Sequence, residues 1–197
     1  MSTIALPPGF DDPADFVLEQ YVNQRSNAAP LGGSEQVVDL LNDRWVATVT
    51  SSPRTSDEAA AYEAFIGSMR GLSNTVDLYH LVRPIPRGTL RGAPVADAAA
   101  QGAGQIVVWE APGFTLLAGD MIGVGGLLLM VATDCVANGA GRADVPLVNR
   151  LRKPLANGAA VTWDRPKAPF RLASRSSVRY VPGWAEGVSF DLVEAIV

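Results

Sequence analysis

One cysteine and one histidine in 197 residues exclude several kinds of protein at once. A single Cys cannot staple a small secreted fold, and one Cys with one His cannot build a Cys/His zinc site. Charged residues are scarce, at 18%, and long apolar runs are absent. The most apolar stretch, 114–132, holds Asp120 and four glycines, which suits strands and turns rather than a spanning helix. The opening Met1-Ser2-Thr3-Ile4-Ala5-Leu6-Pro7-Pro8 lacks the basic and apolar regions of an export signal. The expectation is a soluble chain made in a reducing cytoplasm, with no membrane contact.

What is present points to β structure. Hydrophobic residues make up 48% of the chain, enough for a packed core, and 19 glycines with 14 prolines punctuate it without a collagen period. The length suits one domain, or one domain with a small insertion. The net charge of −4 hides a gradient: residues 1–63 carry −7, whereas 142–179 carry +7. The basic block comprises Arg142, Arg150, Arg152, Lys153, Arg165, Lys167, Arg171, Arg175 and Arg179. It can be read as a solvated face, as an anion or nucleic-acid surface, or as one half of a contact between acidic and basic faces of neighbouring copies. It lacks the interleaved aromatics of a single-strand platform and any recognition-helix pattern.

Along the chain, residues 1–15 form a Pro/Gly/Asp-rich leader with little to bury, expected as an extended arm. Strands are expected over Phe16–Gln24, Glu35–Leu41 and Arg44–Thr50, with a break over 26–33. The Asn42-Asp43 gap suggests that the second and third of these pair as a hairpin. One helix stands out over 56–70. Ser56 is the expected cap, Asp57 and Glu58 fill the first turn, and Tyr62, Phe65, Ile66 and Met69 form one apolar stripe ending at Gly71. After a strand at Val76–Val82, the segment Arg83–Gly104 reads as a long connector. Five short strands follow: Gln105–Trp109, Asp120–Val124, Leu127–Cys135, Arg142–Val148 and Ala159–Trp163. Their turn-rich spacing suits a small OB- or SH3-like β-barrel. Pro169–Leu172 and Gly187–Val197 then return to the first sheet. The expected division is therefore 1–104 plus 166–197 as a β-sandwich with its helix, and 105–165 as an inserted barrel.

Little in the chain suggests catalysis. His80 lies in an apolar strand, Cys135 near a strand end, and no nucleophile elbow occurs. Gly123-Val124-Gly125-Gly126 lacks the Lys-Ser/Thr of a phosphate loop and reads as a hairpin turn. The acidic pairs Asp11/Asp12 and Asp57/Glu58 fall in the leader and the helix start. Asp134 and Asp144 have no calcium-loop spacing. No cofactor and no metal are called for, and a non-enzyme is expected. Trp45, Trp109 and Trp163 fall in or at the ends of strands, as core or interface fillers. Trp184, in a Pro-Gly-Trp-Ala-Glu-Gly loop, has the setting of a sugar-stacking residue.

Several motifs together resemble a family. In Leu116–Val131, Ala118-Gly119-Asp120 leads one strand and Gly125-Gly126 leads the next, a pattern similar to one in tailed-bacteriophage tail proteins. The resemblance continues through Val145-Pro146-Leu147, Leu151-Arg152-Lys153-Pro154, Asn157-Gly158-Ala159-Ala160-Val161 and Pro169–Leu172. It also takes in Arg44-Trp45 and the helix Glu58–Arg70. The family is the distal tail proteins of long-tailed phages. The resemblance implies a tail-tube-like β-sandwich with one flanking helix and a small extra barrel. It implies a non-enzymatic ring, commonly a hexamer, at the distal end of the tail, joining the tail tube to the baseplate or tip. Its partners would be copies of itself, the tail tube protein, and the baseplate hub or other tip proteins. DNA would pass through the lumen without specific binding. The protein would reside in the virion tail after synthesis in the host cytoplasm, and no catalytic residue carries over. Arg150, Arg152 and Lys153 are the candidate interface residues. The alternative is a carbohydrate-binding, host-recognition module of a tail tip.

Overall fold

A computed structural model describes residues 2–28, 32–33, 35–40 and 43–196. Part of the expected break (29–31), Leu41 and Asn42 of the expected hairpin, and Val197 lie outside the described residues. The fold is mainly β, with a single helix among the described residues.

The first unit opens with β1 (Thr3–Ile4), β2 (Asp15–Tyr21), β3 (Gln24–Ala28), β4 (Glu35–Asp39) and β5 (Arg44–Thr50). In β5, Trp45, Ala47 and Val49 are buried while their neighbours are half-buried, the period-two pattern of a strand with one face on a core. Helix α1 (Ser56–Met69) and β6 (Thr75–Leu78) follow. The N-cap of α1 is Thr55, one residue earlier than the expected Ser56. Its hydroxyl accepts the Glu58 N–H, and Glu58 accepts the Thr55 N–H at 3.1 Å, a reciprocal capping box. At the other end Arg70, with φ 48°, is the cap, and the expected Gly71 is left-handed as well, with φ 64°.

The second unit contains β7 (Val95–Ala96), β8 (Gln105–Trp109), β9 (Thr115–Leu116), β10 (Met121–Val124), β11 (Leu127–Met130), β12 (Cys135–Val136), β13 (Arg142–Pro146) and β14 (Ala159–Thr162). Its main sheet runs β11-β10-β14-β7-β8-β13. This sheet curls until its outer edges meet. Val131 and Leu147 form an antiparallel bridge, and the Val148 N–H reaches the Met130 carbonyl at 2.9 Å. Gly125 and Gly126 both take positive φ in the two-residue β10–β11 turn, the backbone that a tight hairpin demands and only glycine adopts freely.

The chain then re-enters the first sheet through β15 (Ala168–Leu172), makes a small hairpin of β16 (Tyr180–Val181) and β17 (Trp184–Ala185), and ends in β18 (Ser189–Glu194). The completed first sheet runs β1-β6-β15-β18-β5-β2, with β1 and β6 parallel and the other neighbours antiparallel.

Three sequence expectations are corrected here. The leader is no loose arm. Thr3–Ile4 adds a strand to β6, and Phe10 is 2% exposed, with ring centroids 5.9 Å from Phe65 and 5.5 Å from Phe190. One aromatic side chain is enough to tie down a Pro/Gly-rich segment when helix and sheet leave a slot for it. The expected Glu35–Leu41/Arg44–Thr50 hairpin does not form. Instead β2 pairs with β5, and β3 pairs with β4. The two pairings are linked by the Leu40 N–H, which donates to the Asn23 carbonyl at 3.1 Å, so β2–β3 runs beside β4–β5 as one ribbon.

The third correction concerns the expected connector Arg83–Gly104, which belongs to the second unit and moves its start upstream of Gln105. β7 sits between β14 and β8, and Leu90 is wholly buried in that unit's core. Polar anchoring fixes the segment. The buried Asp120 carboxylate accepts the N–H groups of Leu117, Arg87 and Gly88 at 2.8, 2.9 and 3.0 Å. At Gly88 the backbone passes so close that an added Cβ would lie 2.2 Å from the Thr115 carbonyl oxygen.

Phe10→Ala is expected to lower stability by about 3–5 kcal/mol, the cost of emptying a packed aromatic site, as read by chemical denaturation. A loose leader would give no change. Hydrogen bonds from Thr55 hold the Glu58 carboxyl below its ordinary value. The folded state therefore binds that proton less readily than the unfolded chain does. The capping contribution is present above about pH 4.5 and is lost as pH falls through the depressed value. Glu58→Gln should reduce stability at pH 7 and leave it unchanged near pH 2, checked by thermal melts across that range.

Candidate functional site

The candidate interface residues lie where the two units join. Trp45, at the start of β5, is 2% exposed. Its indole N–H donates to the Leu128 carbonyl on β11 at 2.8 Å, and its backbone N–H donates to Glu194 Oε2 at 3.0 Å. Asn149 braces the same point from the second unit. Its Nδ2 reaches the Leu128 carbonyl at 2.9 Å, and its Oδ1 takes the Met130 N–H at 3.0 Å.

Arg152 enters from the loop after β13. It grips both Glu194 oxygens, with Nη1 to Oε2 at 2.9 Å, and also donates to the Asp43 carbonyl at 3.1 Å. Glu194 is 2% exposed, and this burial pushes its carboxyl above the ordinary value while Arg152 pulls the other way. Arg152 is thus committed inside the chain, which corrects its assignment as a surface interface residue. Sequence spacing could not reveal this, because its partner lies 42 residues away. Arg150 and Lys153 remain exposed, with Arg150 3.7 Å from Asp39 across the base of the ribbon.

Pairing accounts for much of the basic block. Arg142 forms a two-pronged contact with Asp144, and Arg179 lies 3.3 Å from Glu186. Of these ion pairs only Arg150–Asp39 joins the basic block to the acidic segment 1–63. Asp144 is taken up by Arg142, while Asp134 accepts the Ala118 N–H at 2.7 Å, so the two acids serve separate structural bonds. Among the described residues no group of three or more His, Cys, Asp or Glu side chains is placed to hold a metal ion. No helix among them is long and apolar enough to cross a membrane.

His80 and Cys135 serve different cores. His80 packs edge-on to Phe16, with ring centroids 5.1 Å apart, and accepts the Arg83 N–H at Nδ1; burial and then Arg83 lower its pKa. Cys135 lies opposite Leu116 and packs against the second core, where burial pushes its thiol up, away from reactive thiolate. The tryptophans divide as well. Trp109 and Trp163 spend their indole N–H groups on Asp97 at 2.9 Å and the Gly92 carbonyl at 3.0 Å. Trp184 is 44% exposed. With Arg54, Thr55, Glu58 and Gly183 it lines a shallow cavity of about 310 Å³.

The strongest surface feature is one that periodicity alone did not single out. The β3–β4 end of the ribbon carries Val37 and Val38 at 55% and 45% exposure, on opposite faces, with Val22 and Leu40 also exposed at its base. Alternating residues of a strand point to opposite sides, so this segment is left uncovered on both faces. The signal in the sequence was the valine pair itself, within the strand expected over Glu35–Leu41.

No protein-family model matches this chain, and no curated protein matches it.

Arg152→Met is expected to cost about 3–5 kcal/mol, because it strands a buried carboxylate. The double variant Arg152→Met/Glu194→Met should recover much of that loss in denaturant melts. Equal losses in the single and double variants would show that the pair does not hold the units together.

Proposed function

We propose that this chain is a structural virion protein of a long-tailed bacteriophage, a subunit of a ring at the distal end of the tail that joins the tail tube to the baseplate or tip. On this reading the first sheet with α1 is the tail-tube-like unit, and the curled second sheet is the extra OB- or SH3-like barrel. The protein acts without catalysis. Its partners are further copies of itself, most simply six, together with the tail tube protein and the baseplate hub or other tip proteins. DNA passes the lumen without specific contact.

The observation that carries this reading is the uncovered β3–β4 ribbon. A two-stranded hairpin is marginal in water by itself, and the exposed Val37 and Val38, one on each face, support contact with another chain. A subunit of a closed ring needs two unlike faces that fit each other after rotation. The exposed ribbon would supply one of these two faces. The motif resemblance over 44–172 adds to the reading.

A second reading, a carbohydrate-binding host-recognition module, is favoured by one feature. The exposed Trp184 indole borders a cavity with Arg54, Thr55 and Glu58, an apolar face beside polar groups, as sugar stacking requires.

Native mass measurement over a concentration series, with negative-stain images, is expected to show a closed ring of several copies. Val37→Asp/Val38→Asp should reduce it to monomers with an unchanged melting profile. Arg150→Glu/Lys153→Glu should weaken it at low salt if those residues lie at the contact. Rings that persist with both pairs replaced would overturn the assigned surfaces. Saturable glycan binding lost in Trp184→Ala, by a chain that stays monomeric, would favour the second reading.

A further inference from the structure

Once its paired members are set aside, the basic block leaves a smaller group. Among the described residues Lys153, Arg165, Lys167 and Arg175 are exposed and in no ion pair with a carboxylate, and the first three lie close together. Arg165 and Lys167, with Asp164 as the one acid, line an open groove of about 420 Å³ floored by Gly123, Gly125 and Gly126. The Lys153 ammonium stands over the same floor, 3.8 Å from where a Cβ on Gly126 would lie. Gly126 is also shared with the adjoining cavity that Lys153 lines.

The groove is built rather than incidental. The wall segment 164–167 is pinned at three points. The Arg165 N–H donates to the Pro84 carbonyl at 2.8 Å, and the Arg165 guanidinium lies 5.6 Å from the Tyr79 ring centroid. Pro166 is buried against Gly123, close enough that a Cβ there would meet it at 3.2 Å. Arg165 itself holds a positive φ of 47°, a conformation that costs a non-glycine residue and turns the wall over the floor. Gly125 and Gly126 are the exposed part of the floor, and the missing side chain at Gly126 lets an oxygen-rich ligand approach the backbone beside Lys153.

We propose that this groove is an anion site for phosphate groups. Three cations against one acid suit a multiply charged oxyanion. The planar fork of Arg165 matches two of its oxygens, while Lys153 and Lys167 act as point charges. No aromatic side chain lines the groove, so recognition rests on the phosphate itself and not on a stacked base. The site does not depend on the tail reading, and its failure would leave that reading untouched.

The test is titration of the full chain with inorganic pyrophosphate at constant ionic strength, followed by backbone amide resonances. Saturable shifts are expected at Gly123, Gly125 and Gly126. Lys153→Ala/Lys167→Ala and, separately, Arg165→Ala should weaken binding tenfold or more, with the rest of the spectrum unchanged as the check on folding. Arg175→Ala, an exposed base outside the groove lining, should leave it within twofold. Absent glycine shifts, or equal weakening by Arg175→Ala, would overturn the proposal. A short DNA duplex competing at the same glycines would identify a polymer backbone as the source of the phosphate. Binding of pyrophosphate alone would identify a free phosphate compound. Either result upholds the groove.

Discussion

The bonds around Trp45 and Glu194 hold the two units in one arrangement. A carboxylate at 2% exposure is costly unless its oxygens are satisfied, and here Arg152 and the Trp45 N–H satisfy them. Because the carboxylate belongs to the last strand of the first sheet and the guanidinium to the second unit, neither unit can shift without breaking a buried ion pair. Trp45 adds a directional bond to Leu128, so the joint fixes rotation as well as distance. Met121 and Leu128 then pack into the first core, and apolar contact continues where the polar bonds begin.

A second buried carboxylate does comparable work inside the second unit. Asp120 gathers three backbone N–H groups from two segments and thereby converts a Pro/Gly-rich stretch into a wall of the curled sheet. This gives the Ala118-Gly119-Asp120 motif a physical meaning. Gly119 takes a left-handed turn with φ 83°, Ala118 is bonded to Asp134, and Asp120 faces inward. The motif thus holds the local backbone in place. The exposed features of the molecule are the β3–β4 ribbon, Trp184 and the groove lined by Arg165 and Lys167.

Much of the local structure was legible in the sequence. The helix 56–70 announced itself through its acidic first turn and its Tyr62/Phe65/Met69 stripe, all three buried in the fold. β5 was readable over its whole length from alternation, and the Gly125-Gly126 turn from its two glycines, because these rules act between residues close along the chain. Errors arose where the choice of partner strand had to be made. The Asn42-Asp43 gap looked like a hairpin turn, yet β4 pairs with β3 and β5 with β2. Nothing local tells a strand which neighbour it will have.

Sequence by itself determined the kind of protein this is: a mostly β chain with one amphipathic helix, tight glycine turns, and a sharp separation of acidic from basic segments. Backbone propensity and side-chain periodicity are local properties, and they survive in whatever topology forms. Only the tertiary structure decided which charges are neutralised. It buried Arg152 against Glu194, paired Arg142 with Asp144, and left Arg165 and Lys167 lining one groove with Lys153 beside it at Gly126. It likewise turned Phe10 inward and Val37 and Val38 outward. Burial depends on what the rest of the chain places over a residue, and that is set by long-range packing.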